Sequence, residues 1–235
     1  MNSQSKLFLP YDTYERHRKI GELIPDGQTV LDVGGELNHL SQFCHPAKIV
    51  VANLKDSQEQ SDILIKKGKL PFSKNSFDIA CSIDVLEHIP IQERGEFVKN
   101  LLTVAKQKII LSFPIGTEKH LRYETKMLAW LKKHGKNVKY LEEHVKYQIP
   151  TKEQIDNITK GLKTKIEYSG DISINEYLFR LFIFDPKIKF VSRIVYFLKL
   201  GFNLLTNEIL YRMLTNKGYS QNVNRAYVII TKEVN

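Results

Sequence analysis

Apolar and polar positions fall along this chain in blocks that read alternately as strands and helices. Apolar, β-branched runs at 29–33, 49–52, 78–83 and 108–113 predict strands buried on both faces. The stretch 11–24 has the spacing of an amphipathic helix. Pro25, Asp26 and Gly27 end it, because proline disfavours a helical predecessor and Asp-Gly favours a turn. A short helix is expected at about 38–43, before Pro46. Residues 118–133 set Leu121, Leu128 and Leu131 near one helical stripe. Thr151 followed by Gln154 is the spacing of a capping box and opens another helix. Runs at 163–168 and 226–231 read as two late strands. Strands alternating with helices predict an α/β fold with one mostly parallel sheet covered on both faces.

At 235 residues and 42% apolar content, the chain suits one substantial core and is too short for two large ones. We expect a single domain over 1–235, with 171–219 as a helical insertion or lid before the last strand. Two cysteines, Cys44 and Cys81, make no disulfide framework, and Cys81 falls inside a predicted strand. The first residues lack the apolar core of a signal peptide, and no apolar run approaches the ~18 residues of a spanning helix. A reduced, cytoplasmic chain is the expectation. Its net charge of +9 admits an anionic partner without choosing among them.

The chemistry gathers in two blocks: VLDVGG at 30–35, and LPFSKNSFDIACSIDVLEHIP at 70–90. Together they resemble the class I S-adenosylmethionine-dependent methyltransferases, in the broad group with LPF, SFD and DVLEH motifs, over roughly 29–150. That resemblance implies a Rossmann-like, seven-stranded sheet closed by an antiparallel last pair, and S-adenosylmethionine as cofactor. It implies that Asp32, Gly34 and Gly35 form the cofactor turn, where a side-chain-free backbone lets the methionine part approach. Glu36 and Asn38 stand where the group usually has further glycines; Asn38 is suited to a left-handed position. Asn53, at the end of the second strand, is assigned to the ribose hydroxyls. Leu70, Phe72, Ser82 and Asp84 complete the expected cofactor pocket. Lysines at 66, 67 and 69 occupy the region where the group often has an acid for adenine, so backbone groups and an apolar wall are expected to serve instead.

Read as a helix, DVLEH puts Asp84, Glu87 and His88 on one face at i, i+3 and i+4. The spacing resembles the metal-binding element of small-RNA 2′-O-methyltransferases and of O-methyltransferases from the ubiquinone pathway. A metal lowers the pKa of a coordinated hydroxyl. No resident metal is expected, and Asp84, Glu87 and His88 are the candidate ligands for a divalent cation should one bind. His144, His88 and Glu87 are the candidate catalytic residues. His144 in particular can serve as general base or as a further ligand, since an imidazole titrates near neutrality.

From 187 to 207 the chain has no acidic residue, and aromatic and aliphatic positions alternate with Lys187, Lys189, Arg193 and Lys199. We expect a helical cover over the acceptor pocket whose cationic edge makes weak contact with an anionic membrane surface. The activity expected is methyl transfer to a small, lipid- or glycan-linked acceptor, on oxygen. A non-catalytic scaffold, supported by Glu36 and the lysines near 66, and an RNA methyltransferase using the lysines of 132–146 are the alternatives. Nucleic acid ranks below a small acceptor because no separate RNA-binding module is visible. Oligomeric state is not legible in the sequence.

Overall fold

The computed structural model describes residues 5–54, 60–66, 69–183 and 186–233. Seven strands form one sheet in the order β3-β2-β1-β4-β5-β7-β6. The strands are β1 (Thr29–Val33), β2 (Lys48–Leu54), β3 (Ile63–Ile65), β4 (Phe77–Ile83), β5 (Ala105–Pro114), β6 (Lys163–Ser169) and β7 (Arg225–Thr231). The first five run parallel to one another, and β7 runs antiparallel between β5 and β6. This is the expected α/β architecture. Strand β3, three residues long, carries too little pattern to be read from sequence.

Both faces of the central strands are buried, which is why they appear as continuous apolar runs rather than alternating ones. Leu31, Ala80, Ile109, Leu111 and Val228 point into one core cluster, and Val30, Ile79, Cys81, Ile110 and Tyr227 into the other. Truncating a residue such as Leu31, fully buried, to alanine would cost about 2–5 kcal/mol. Both cysteines are free and buried.

The helices are α1 (Tyr11–Glu22), α2 (Arg94–Val104), α3 (Glu118–Lys133), α4 (Lys139–Tyr147), α5 (Lys152–Ile158), α6 (Ile172–Ile183) and α7 (Lys189–Leu214). The capping box is present in both halves: Thr151 Oγ1 accepts from the Gln154 N–H, and the Gln154 side chain accepts from the Thr151 N–H. The helix expected at 38–43 reduces to a single 3-10 turn, Leu40–Gln42, with Asn38 in the left-handed region at φ 67° just before it.

The region 171–219 holds two helices with different tasks. Helix α6 packs on α3, with Phe179 and Ile183 against Met127 and Leu131. The second half of α7 is clamped to the first residues of the chain: Asn203 Nδ2 donates to the Phe8 carbonyl and Asn207 Nδ2 to that of Leu9, both at 2.9 Å. The first half of α7 buries no side chain. Among the described residues no helix is long and apolar enough to cross a membrane.

Candidate active site

The loops at the carboxyl ends of β1, β2, β4 and β5 surround two adjoining cavities, in the crevice where open parallel sheets place their ligands. The first, about 430 Å³, is lined by Gly34, Asn53, Leu70, Val85 and Phe97 among others. The second, about 560 Å³, lies under α3, α4 and α6 and is lined by Glu87, His120, Glu124, Tyr140, His144 and Phe179 among others. Asp84 and His88 border both, so a group held in one cavity faces a group held in the other across these two side chains.

The first cavity is built on the turn after β1. Gly34 has φ +84°, and a Cβ there would come within 2.2 Å of Val85 Cγ2; only glycine satisfies both conditions without displacing the β4 loop. A Cβ on Gly35 would strike the Asp32 carboxylate at 2.0 Å. Asp32 itself is buried behind the turn and does not line the cavity. Its Oδ1 accepts a weak bond from Cys81 Sγ at 3.7 Å, its Oδ2 is unpartnered, and burial pushes its pKa up to about 7. Asn53 lines the cavity and donates its Nδ2 to the Gly35 carbonyl at 2.6 Å. Leu70 lines it too. Phe72 turns away to pack edge-on against Phe77 at 5.1 Å, Ser82 is buried with Oγ donating to the Val33 carbonyl at 2.8 Å, and Asn38 is exposed away from the cavity. Lys66 and Lys69 border the cavity where an acid was absent from the sequence; Lys67 lies outside the described residues.

The DVLEH segment is not the helix its spacing implies. Asp84 has φ +53°, Val85 has φ −123° and ψ −38°, and Leu86–His88 forms a single 3-10 turn. Asp84 therefore does not share a face with Glu87 and His88 as candidate ligand. It sits instead between two guanidiniums, Arg16 at 2.7 Å and Arg225 in a two-pronged pair. Burial alone would raise its pKa, but the two cations hold the carboxyl well below the usual range. Arg225 is further tied to Ser112 Oγ at 3.1 Å and lies 3.6 Å from buried Glu15.

Glu87, His88 and His144 do converge: one ligand atom from each lies within 4.8 Å of the others. His144, on α4, is buried and not on an exposed loop. Its Nδ1–H donates to Glu124 Oε1 at 2.8 Å, leaving Nε2 unpartnered and 4.0 Å from Glu87 Oε1. His88 repeats the arrangement, with Nδ1–H donating to Glu143 Oε2 at 2.8 Å. Burial, reinforced by the Asp84 charge, raises the Glu87 pKa, and its Oε2 has no partner. Burial lowers His88 and His120. Two imidazoles with Nδ1 fixed by a carboxylate and a bare carboxylate between them form a site able to take a proton or to hold a cation.

Sequence reading missed Glu124, Arg94 and Arg225. Glu124 lies in a helix whose pattern shows only a polar position. Arg94 is fully buried and donates to the carbonyls of Ile89 at 3.0 Å, of Tyr147 at 3.1 Å and of Gln148, and to Gln154 Oε1 at 2.7 Å. It staples the end of α4, and with it His144, to the residue that follows the DVLEH turn. The expected cover is also redistributed: α6 contributes Asn175, Leu178, Phe179 and Phe182 to the second cavity, while no α7 residue lines it among those described.

The protein-family profile described as "Methyltransferase domain" matches residues 43–113. No curated protein matches the chain. Among solved structures, an S-adenosylmethionine-dependent methyltransferase from Thermotoga maritima is similar at TM-score 0.54 and 12% identity, covering 97% of this chain and 94% of that one. One from Archaeoglobus fulgidus gives 0.51 and 14%, over 92% and 91%. A cyclopropane synthase from Mycobacterium tuberculosis gives 0.50 and 14%, over 98% and 95%. At such identities the structural likeness speaks for the fold. The domain match over 43–113 and the shared fold both agree with the resemblance to class I S-adenosylmethionine-dependent methyltransferases.

Proposed function

We propose that this enzyme methylates an oxygen of a small acceptor with a lipid- or glycan-linked part, and that His144 removes the hydroxyl proton. The observation that carries the reading is the junction of the two cavities at Asp84 and His88. S-adenosylmethionine occupies the first, with Gly34 and Gly35 giving the backbone approach and the Asn53 carbonyl oxygen, its amide being tied to Gly35, accepting from a ribose hydroxyl. Asp32 acts behind the turn, filling the space that a Gly35 side chain would need. The acceptor enters the second, its apolar part against Leu178, Phe179 and Phe182 of α6. Methyl transfer is an in-line displacement at the sulfonium carbon, so alignment across the junction supplies much of the rate. Glu124 holds the His144 tautomer that leaves Nε2 as acceptor. A weak contact with an anionic membrane brings a lipid-linked acceptor to this opening.

A second reading is favoured by the orphaned Glu87 Oε2 and His144 Nε2: with His88 they fit a divalent cation that would hold and acidify the acceptor hydroxyl. Asp84, already neutralised by two arginines, is not part of that set.

Calorimetry with S-adenosylhomocysteine tests the first step: micromolar binding is expected, and its absence would return the chain to a scaffold. Release of S-adenosylhomocysteine is then followed over hydroxyl and amine acceptors bearing short and long alkyl chains. Hydroxyl acceptors should react, and His144→Asn should slow them by about 10²–10⁴. Turnover of amines alone would overturn the oxygen assignment. Turnover abolished by a chelator and restored by Mn²⁺ would replace the base by the cation.

A further inference from the structure

The apolar surface of α7 lies outside both cavities. Phe190, Val191, Ile194, Phe197, Leu198 and Leu205 are all exposed, with Phe190 and Leu205 at 73%. At about 100° per residue these six fall within an arc of roughly 120°, one continuous stripe roughly 24 Å long. Monomeric proteins seldom leave so large an apolar face in water. Exposed Lys189 and Arg193 follow one border of the stripe, exposed Lys187 precedes it, and no carboxylate occurs between 187 and 207. The helix buries side chains only in its second half, at Asn203, Asn207, Tyr211 and Leu214.

We infer that the first half of α7 is a docking element that lies in the surface of an anionic lipid bilayer, stripe inward and cations at the phosphates. The charge distribution is what selects lipid over a protein groove. An acid-free cationic border beside aromatic and branched side chains matches a phosphate layer over acyl chains. A partner protein or a second copy would have to supply carboxylates at the same border, and between 187 and 207 the α7 face of this chain offers none to itself. The helix rests on the surface rather than crossing it, because it is not apolar enough to span.

The placement joins the docked face to the acceptor cavity. Phe182 lines that cavity, its ring meets Phe202 of α7 at 6.0 Å, and its carbonyl accepts from Lys199 Nζ at 2.8 Å. An acceptor with an acyl or polyprenyl tail would thus reach the cavity along α6 without leaving the lipid surface. For this purpose the inference rests on the proposed lipid-linked acceptor, whereas the docking can be measured without it.

The test is flotation of the full chain with vesicles of phosphatidylcholine alone and of phosphatidylcholine with phosphatidylglycerol, at low and high salt. Wild type should bind the anionic vesicles at low salt. Each cation near such a surface raises partitioning about fivefold, so Lys187→Gln/Lys189→Gln/Arg193→Gln should weaken it by about a hundredfold. Phe190→Ser/Phe197→Ser, on exposed positions that leave the fold intact, should weaken it at least about tenfold. Failure of wild type to float with anionic vesicles at low salt would overturn the inference, as would unchanged flotation of the phenylalanine variant. A dimer in sedimentation that the phenylalanine variant dissolves, with no vesicle binding, would overturn it in favour of a second copy. S-adenosylhomocysteine binding measured on the same preparations separates this outcome from failure of the methyl-transfer reading.

Discussion

Replacing Arg94 by methionine removes one buried cation and leaves four acceptors facing it. Those acceptors are three carbonyls and the Gln154 side chain. Hydrogen bonds from a charged donor contribute about 1.5 kcal/mol each at the low end, so about 6 kcal/mol is lost. Against this stands the cost of burying the guanidinium, which pulls its pKa from 12.5 down to about 10 and corresponds to about 3 kcal/mol. The net destabilisation is about 3 kcal/mol, or roughly 6–12 °C in Tm for a chain of this size. Arg94→Lys keeps the charge but not the fork and should fall between. Thermal unfolding followed by circular dichroism reads both variants, and S-adenosylhomocysteine affinity below the transition should change little, because Arg94 lines neither cavity. A methionine variant within about 2 °C of wild type would mean that the staple between α4 and residue 89 holds nothing, and that His144 is positioned by other contacts.

Three further outcomes are expected. Gly34→Ala places a Cβ at φ +84° against Val85 and should weaken S-adenosylhomocysteine binding by about tenfold or more through αL strain of about 1–2 kcal/mol and displacement of the β4 loop; unchanged affinity in calorimetry would make the turn structural only. Burial raises the folded pKa of Asp32 from its ordinary value of 3.8 to about 7, so its contribution to stability is fully present below about pH 4 and lost as pH rises through 7. Urea titrations of wild type and Asp32→Asn should therefore diverge in favour of the variant between pH 4 and 7, and parallel curves would contradict the burial argument. Asn53→Asp turns a carboxylate oxygen toward the Gly35 carbonyl, where Nδ2 now donates, and should weaken cofactor binding even though it restores an acid at the strand end; tighter binding by calorimetry would refute that geometry.

What could be read from the sequence was set by how local the physics is. Strands β1 and β4 announce themselves because both faces are apolar, and the Thr151 and Gln154 pair announces α5 because the cap is satisfied within four residues. The turn at Gly34 was legible for the same reason. Asp84 was not: helical spacing in DVLEH is broken by a residue held at positive φ, and what holds it there is Arg16 and Arg225, 68 positions back and 141 positions on. The partnership of His144 with Glu124 likewise crosses from α4 to α3, and no periodicity encodes it. Leu70 and Phe72 show the limit at finer grain. Both belong to one short motif, yet one faces the cavity and the other packs on Phe77.

The position of β7 carries a consequence for the order of synthesis. Among the described strands β6 pairs with β7, and β7 pairs with β5 on its other edge, so a chain emerging from the ribosome can assemble β1 to β5 in sequence but has no sheet edge on which to seat β6. That strand must wait until residues 225–231 arrive and slide into the gap. The same strand brings Arg225 to Asp84. The second guanidinium at Asp84 therefore arrives with sheet closure, and a nascent chain stalled before residue 225 would expose the edge of β5 and leave Asp84 to Arg16 alone.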